Sequence, residues 1–154
     1  MNPRTKLHLE NFLPYRLSVL SNTVSGAIAA AYFAHFGLTI PEWRVMAVLA
    51  ANSGLSAAEV TARTAMDKVA VSRAVAALLA AGRLRRTMVK ADRRRTHLEL
   101  TPAGNRVYAR VVPMALKYER HLIAPLSARD RATLDRLLRV LLGRAVELGP
   151  MHAE

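Results

Sequence analysis

Between Ser56 and Thr101 two short helical patterns run straight into a basic strand, an arginine-rich turn and a second strand. Local chemistry marks each part. Ser56 stands three residues before Glu59, so its hydroxyl can take the Glu59 amide while the carboxylate reaches back, and Leu55 can staple onto Val60. A helix from Ala57 to about Arg63 follows. After the break Thr64-Ala65-Met66, Asp67 caps a second helix in which Val69, Ala70, Val75, Leu78 and Leu79 supply apolar contacts until Gly82 ends it. The spacing is that of a helix-turn-helix, although the turn lacks the glycine often found there. Leu84–Val89 and Thr96–Leu100 read as strands around a polar turn at residues 90–95, which makes a β-wing.

The charge is concentrated in the same place. Residues 63–95 hold ten bases against Asp67 and Asp92, so +8 of the net charge of +12 falls in about one fifth of the chain. Such a local footprint points to phosphates, and double-stranded DNA is the expected partner. A membrane surface would call for a long basic helix with Trp, Phe and Leu on its other face, whereas residues 83–95 read as strand and turn. The longest apolar runs, at 27–36 and 45–51, fall short of the ~20 residues that span a bilayer. No secretory leader is visible, so a cytoplasmic location is expected. The absence of cysteine excludes disulfides, thiolate zinc sites and thiol nucleophiles. The five histidines are scattered, and no paired-histidine zinc motif or phosphate-cradling glycine loop occurs. His8 with Glu10, or His121 with Glu119, is the residual metal candidate. No enzyme activity, cofactor or metal is expected.

The flanks are helical. Leu13, Leu17, Leu20, Val24, Ala27 and Ala31 describe one amphipathic helix from about Glu10 to Phe36, stopped by Gly37. Thr39, Pro41 and Glu42 open a second helix carrying Trp43, Val45, Met46 and Leu49. Beyond the wing, Thr101 caps a helix with Pro102 in its first turn, running to about Ile123 and expected to kink at Pro113. Ser127 and Asp130 start a last helix, whose Leu134, Leu137, Leu138, Leu141, Leu142 and Val146 form a wide apolar face. The expected fold is mainly α: a winged helix-turn-helix with a two-stranded β-wing and N- and C-terminal dimerisation helices. The 154 residues then form a single domain, with dimerisation helices at 1–37 and 102–154 and the winged module at 38–101. The terminal helices carry more apolar stripe than that module can cover, so a homodimer is expected; the alternative packs the first and last helices on each other within one chain. Two-fold symmetry would set two recognition helices about 34 Å apart on a pseudo-palindromic site.

The run Asp67-Lys68-Val69-Ala70-Val71-Ser72-Arg73, the wing residues Asp92, Arg93 and Arg94, and Leu100-Thr101-Pro102-Ala103-Gly104 together resemble the multiple-antibiotic-resistance regulator (MarR) family of bacterial winged-helix repressors. The resemblance covers nearly the whole chain. The wing departs from the common pattern by lacking the extra acidic residue and proline that often precede the second Asp-Arg. Ser72 and Arg73 lie opposite Val75, Leu78 and Leu79 and so face the major groove. Arg73 can bind guanine O6 and N7 bidentately, or else serve as a phosphate contact or a solvated side chain. Lys68 suits a phosphate anchor, Val71 either a thymine methyl or the core, and Ser56 a phosphate contact beside its capping role. The resemblance implies that Arg94 enters the minor groove with Asp92 orienting it, where a narrow A·T-rich groove focuses negative potential. Arg93 and Arg95 then take flanking phosphates, against the plainer alternative of a solvated loop.

The family also implies a small-molecule cleft between the dimerisation helices and the winged module, for phenolic or aromatic carboxylates or their coenzyme A thioesters. Tyr15, Arg16, Trp43 and Arg44 are candidate effector contacts, since an anionic aromatic ligand wants a cation near an aromatic wall. Trp43 fits the core equally well, and Arg44 fits a carboxylate or DNA. Two functions follow: a dimeric repressor released from its operator by an effector, or a non-sensing architectural nucleic-acid-binding protein held by phosphates alone.

Overall fold

The computed structural model describes residues 6–89 and 92–150, and at residues 89 and 92–95 the backbone alone. Helix α1 (Leu13–Phe36) follows a single 3-10 turn at Leu9–Asn11, so the long helix begins later than its apolar periodicity suggests. Phe12 at its start offers no side-chain cap, and Pro14 in the first turn supplies a preset φ where no amide is needed. Gly37 ends it with a left-handed φ of 62° and an amide bond to the Phe33 carbonyl at 2.8 Å.

Helix α2 (Ile40–Ala51) opens on the expected capping box: the Thr39 amide donates to the Glu42 carboxylate and the Glu42 amide to Thr39 Oγ1. Helix α3 (Ala57–Thr64) repeats the device with Ser56 and Glu59, and helix α4 (Lys68–Ala80) starts where the Ala70 amide donates to Asp67 at 2.8 Å. Between α3 and α4 the glycine-free turn puts Ala65 in the left-handed region at φ 51°, the single non-glycine positive φ among the described residues.

Strands β1 (Leu84–Val89) and β2 (Asp92–Leu100) pair antiparallel. The second strand is longer than its sequence suggests, because residues 92–95, expected in the turn, have strand backbone. Register slips beyond Met88↔Thr96, and the next pair is Val89↔Asp92, so Arg93 to Arg95 face no partner residue on β1. A further pairing was not anticipated: Leu98 donates its amide to the Leu55 carbonyl at 2.8 Å and accepts from Gly54 at 3.2 Å. The segment entering α3 is thereby laced to the wing.

Helix α5 (Pro102–Ile123) is assigned without interruption through Pro113, and helix α6 (Ala128–Leu148) begins on a third capping box, Ser127 with Asp130. The chain divides into two compact units, Met1–Ala115 and Leu116–Glu154. In the first, a core of Leu38, Val45, Met46, Leu49, Val60, Val71, Val75, Leu78, Leu84, Leu98 and Val111 ties α2, α3 and α4 to the strands and to α5. Val69, expected among the apolar contacts, is instead 58 % exposed.

Helix α1 buries only Tyr32, and its Leu13, Leu17, Leu20 and Phe33 stay exposed. With 24 residues and a mean hydropathy of 1.3 over its most apolar stretch, α1 is by length and composition alone long and apolar enough to cross a membrane, while its unbroken apolar runs are short as expected. Its scattered Ser, Asn and Thr residues interrupt the runs without lowering the average far enough. In the second unit α6 buries no residue, and Leu137, Leu138, Leu141 and Leu142 are exposed.

Candidate nucleic-acid interface

The geometry of α4 follows from which side chains it gives to the core. Val71, Ala74, Val75 and Leu78 are all buried, which fixes the rotation of the helix. At about 100° per residue, the stripe diametrically opposite is Val69, Arg73, Ala76 and Ala80, and all four are exposed. Val71 is 1 % exposed, so of its two sequence roles the structure takes the core one and removes it from the candidate DNA contacts. Arg73 points outward. Ser72 sits to one side of that stripe and, with Lys68, Arg86, Ala57, Ala58 and Thr61, lines an open cleft of about 360 Å³ between α3, α4 and the wing. Arg86 was not singled out in the sequence, because alternation along a strand does not say which face looks toward a neighbouring helix.

The basic segment is less uniform than its net charge suggests. Arg85 donates from Nε and Nη2 to the Glu99 carboxylate at 3.1 and 2.9 Å across the strands, and Arg83 donates to the Phe36 carbonyl at 2.6 Å. These two cations hold the fold. Among the described residues the remaining salt bridges are His8–Glu10, Arg139–Asp135 and Arg144–Glu147, so no carboxylate engages Lys68, Arg73 or Arg86. Lys68 and Arg73 on α4 and Arg86 on β1 are therefore left without a carboxylate partner among the described residues. A phosphate backbone suits that arrangement.

Ser56 is more committed than expected. Its hydroxyl donates to Glu59 Oε2 at 2.7 Å, its amide donates to the same oxygen at 2.8 Å, and the Glu59 amide donates to Ser56 Oγ at 3.3 Å. Those bonds, from the backbone first and the hydroxyl second, hold the Glu59 carboxyl below its ordinary value of 4.5. A carboxylate thus occupies the place where a phosphate would meet the start of α3. The wing candidates Asp92, Arg93, Arg94 and Arg95 lie on the β2 backbone, with their side chains outside the described residues.

The four effector candidates do not meet within one chain. Tyr15 and Arg16 are exposed at the start of α1, whereas Trp43 packs beside Tyr32 seventeen residues further along that helix, about 25 Å at 1.5 Å per residue. Trp43 stands between Tyr32, at 5.9 Å between ring centres, and Tyr108, at 5.6 Å and nearly parallel. Burial pushes the Tyr32 phenol up, and the nearby Arg44 guanidinium opposes it. The aromatic wall therefore includes Tyr32 and Tyr108, neither of which stands out in the sequence as an effector contact. Among the described residues no three metal-ligating side chains cluster.

Residues 36–95 match the sequence profile of the MarR family. A putative transcriptional regulatory protein for the hcr operon of Thauera aromatica is 30 % identical over 105 residues, which cover 68 % of this chain and 63 % of that protein. The match thus spans less than two thirds of that relative. Among solved structures, a MarR/EmrR-family transcriptional regulator from Acinetobacter sp. ADP1 superposes with a TM-score of 0.84 at 24 % identity, covering 93 % of this chain and all of that one. The PcaV transcriptional regulator of Streptomyces coelicolor, solved in complex with its natural ligand, gives a TM-score of 0.73 at 25 % identity over 90 % of this chain and 97 % of its own.

Proposed function

We propose that the chain is a MarR-family winged-helix regulator, and that it acts as a dimeric, sequence-specific DNA-binding repressor released from its operator by a small-molecule effector. The observation that carries this is an exposed arginine, Arg73, on the face of α4 opposite the core, with Lys68 and Arg86 lining the neighbouring Ser72 cleft and no carboxylate engaging any of the three among the described residues. Such a face suits the major groove of DNA. Arg73 takes a guanine edge, while Lys68 and Arg86 take phosphates on either side of the Ser72 cleft. The wing, with Arg94 oriented by Asp92 and with Arg93 and Arg95 on phosphates, follows the minor groove. Val71 and, through its bond to Glu59, the Ser56 hydroxyl serve the fold.

Pairing of two copies is supported by the unburied apolar faces of α1 and α6. A pseudo-palindromic operator follows from two-fold pairing. The effector is an aromatic or phenolic carboxylate or its coenzyme A thioester, and the solved ligand complex of PcaV supports a ligand-responsive reading. Trp43, Tyr32 and Tyr108 with Arg44 are its contacts at one end of α1, and Tyr15 and Arg16 are separate candidates at the other. The protein acts in the cytoplasm, where its DNA lies.

Competition in a mobility-shift assay on DNA upstream of the protein's own gene tests the proposal. Specific displacement by that DNA is expected, and equal displacement by random duplex would leave the architectural alternative instead. Arg73→Ala is expected to lose about 1–3 kcal/mol of discrimination at one base position, whereas Lys68→Ala weakens all sequences alike and lowers the salt slope by about one per subunit.

A further inference from the structure

We propose that Val69 is a specificity-determining residue that reads the methyl group of a thymine in the base step next to the one met by Arg73. The inference rests on the DNA-binding role proposed above and assigns it a second reading group. Val69 is 58 % exposed, while Val71 two residues on is 1 % exposed. A β-branched residue in the first turn of an outward-facing helix stripe has restricted rotamers and poorer helix propensity than alanine, and here most of it is left in solvent. Folding gives no reason for it.

Its position supplies one. Val69 and Arg73 are four residues apart, about 40° around the helix and about 6 Å along it, so their side chains are neighbours on the same face. The rest of that stripe, Ala76 and Ala80, is exposed but ends at the β-carbon, which lets the helix backbone come close to a groove floor. Only an isopropyl and a guanidinium project from it. Residues in the first turns of a recognition helix are the ones that meet base edges. An isopropyl can neither donate nor accept a hydrogen bond, and the one apolar group on any base edge in the major groove is the thymine C5 methyl. A phosphate or a guanine edge would leave Val69 with nothing to contact.

The test starts from a random-sequence duplex pool, from which the intact protein selects its preferred DNA. Each thymine in that duplex is then replaced by deoxyuridine, which removes one methyl and leaves every hydrogen bond in place. For the wild-type protein, one position per half-site is expected to weaken binding about fourfold on replacement, the equivalent of about 0.8 kcal/mol for one buried methyl. For Val69→Ala, whose folding is checked by its melting temperature, the same replacement is expected to change affinity by less than about 1.5-fold, which closes a double-mutant cycle between the two groups. Undiminished sensitivity in Val69→Ala, or selected DNA with no thymine methyl that matters to the wild type, overturns the assignment of Val69 alone. A pool that yields no preferred sequence overturns both this assignment and the regulator proposal.

Discussion

Gly104 is held more tightly than any other described glycine: a β-carbon there would fall far inside van der Waals contact distance of the Arg83 carbonyl oxygen and crowd Leu100 at 3.1 Å. That carbonyl accepts the Thr101 amide, and Thr101 Oγ1 accepts the Gly104 amide, so neither side can retreat without breaking the start of α5. Gly104→Ala is expected to cost about 3 kcal/mol, the upper end for overpacking, read as a melting temperature lower by roughly 6–12 °C. Ala65 is the opposite case. Its left-handed φ of 51° is where a β-carbon crowds the following carbonyl, and it is not buried. Ala65→Gly is expected to be neutral to stabilising by up to about 1 kcal/mol, measured as the urea midpoint at unchanged m-value. The missing glycine that weakens the helix-turn-helix signature in the sequence thus has a physical trace, a turn that folds in spite of strain.

At the scale of elements, stretches of three or four residues spoke plainly in the sequence. The capping boxes at Thr39, Ser56 and Ser127 and the Asp67 cap were all legible, because both partners of each bond lie within one turn. Contacts between distant segments were not. Arg83 donates to the carbonyl of Phe36, forty-seven residues away, and thereby joins the C-terminus of α1 to the root of the wing, while Arg110 stands 5.1 Å over the Phe36 ring. The Leu55–Leu98 pairing spans a similar gap. Within α4 the helix was clear and its rotation was not: choosing between Val69 and Val71 for the core needs the neighbouring helices, and only packing provided them. Arg83→Met removes a charge-assisted bond to a helix end and is expected to cost about 1.5–3 kcal/mol, seen as a lower urea midpoint. The α3 cap makes its own prediction about acid. Because Glu59 has a lowered carboxyl pKa in the folded protein, its contribution is complete above the ordinary glutamate value of 4.5 and is lost as pH falls through the folded value. Glu59→Gln is therefore expected to flatten the acid limb of stability measured against pH.

For the whole molecule, the feature that most separates this chain from a self-sufficient winged helix is the apolar surface left on α1 and α6. Side chains such as Leu137, Leu138, Leu141 and Leu142, exposed together, match what a paired partner would bury. Sedimentation equilibrium is expected to give a dimer, and Leu138→Glu with Leu142→Glu a monomer. If those substitutions leave the mass unchanged, the pairing does not run through α6. The dimer's melting temperature should rise with protein concentration, since folding and association are then linked by mass action.

The residues proposed to pair and those proposed to read DNA lie on different helices, and this has a genetic consequence. A subunit with a damaged α4 or wing keeps intact α1 and α6 faces and still recruits a healthy partner. Produced alongside wild type in equal amount, it leaves only about a quarter of the dimers with two working heads. Lesions in Arg73 should therefore be dominant over the normal allele, whereas lesions that abolish pairing should be recessive.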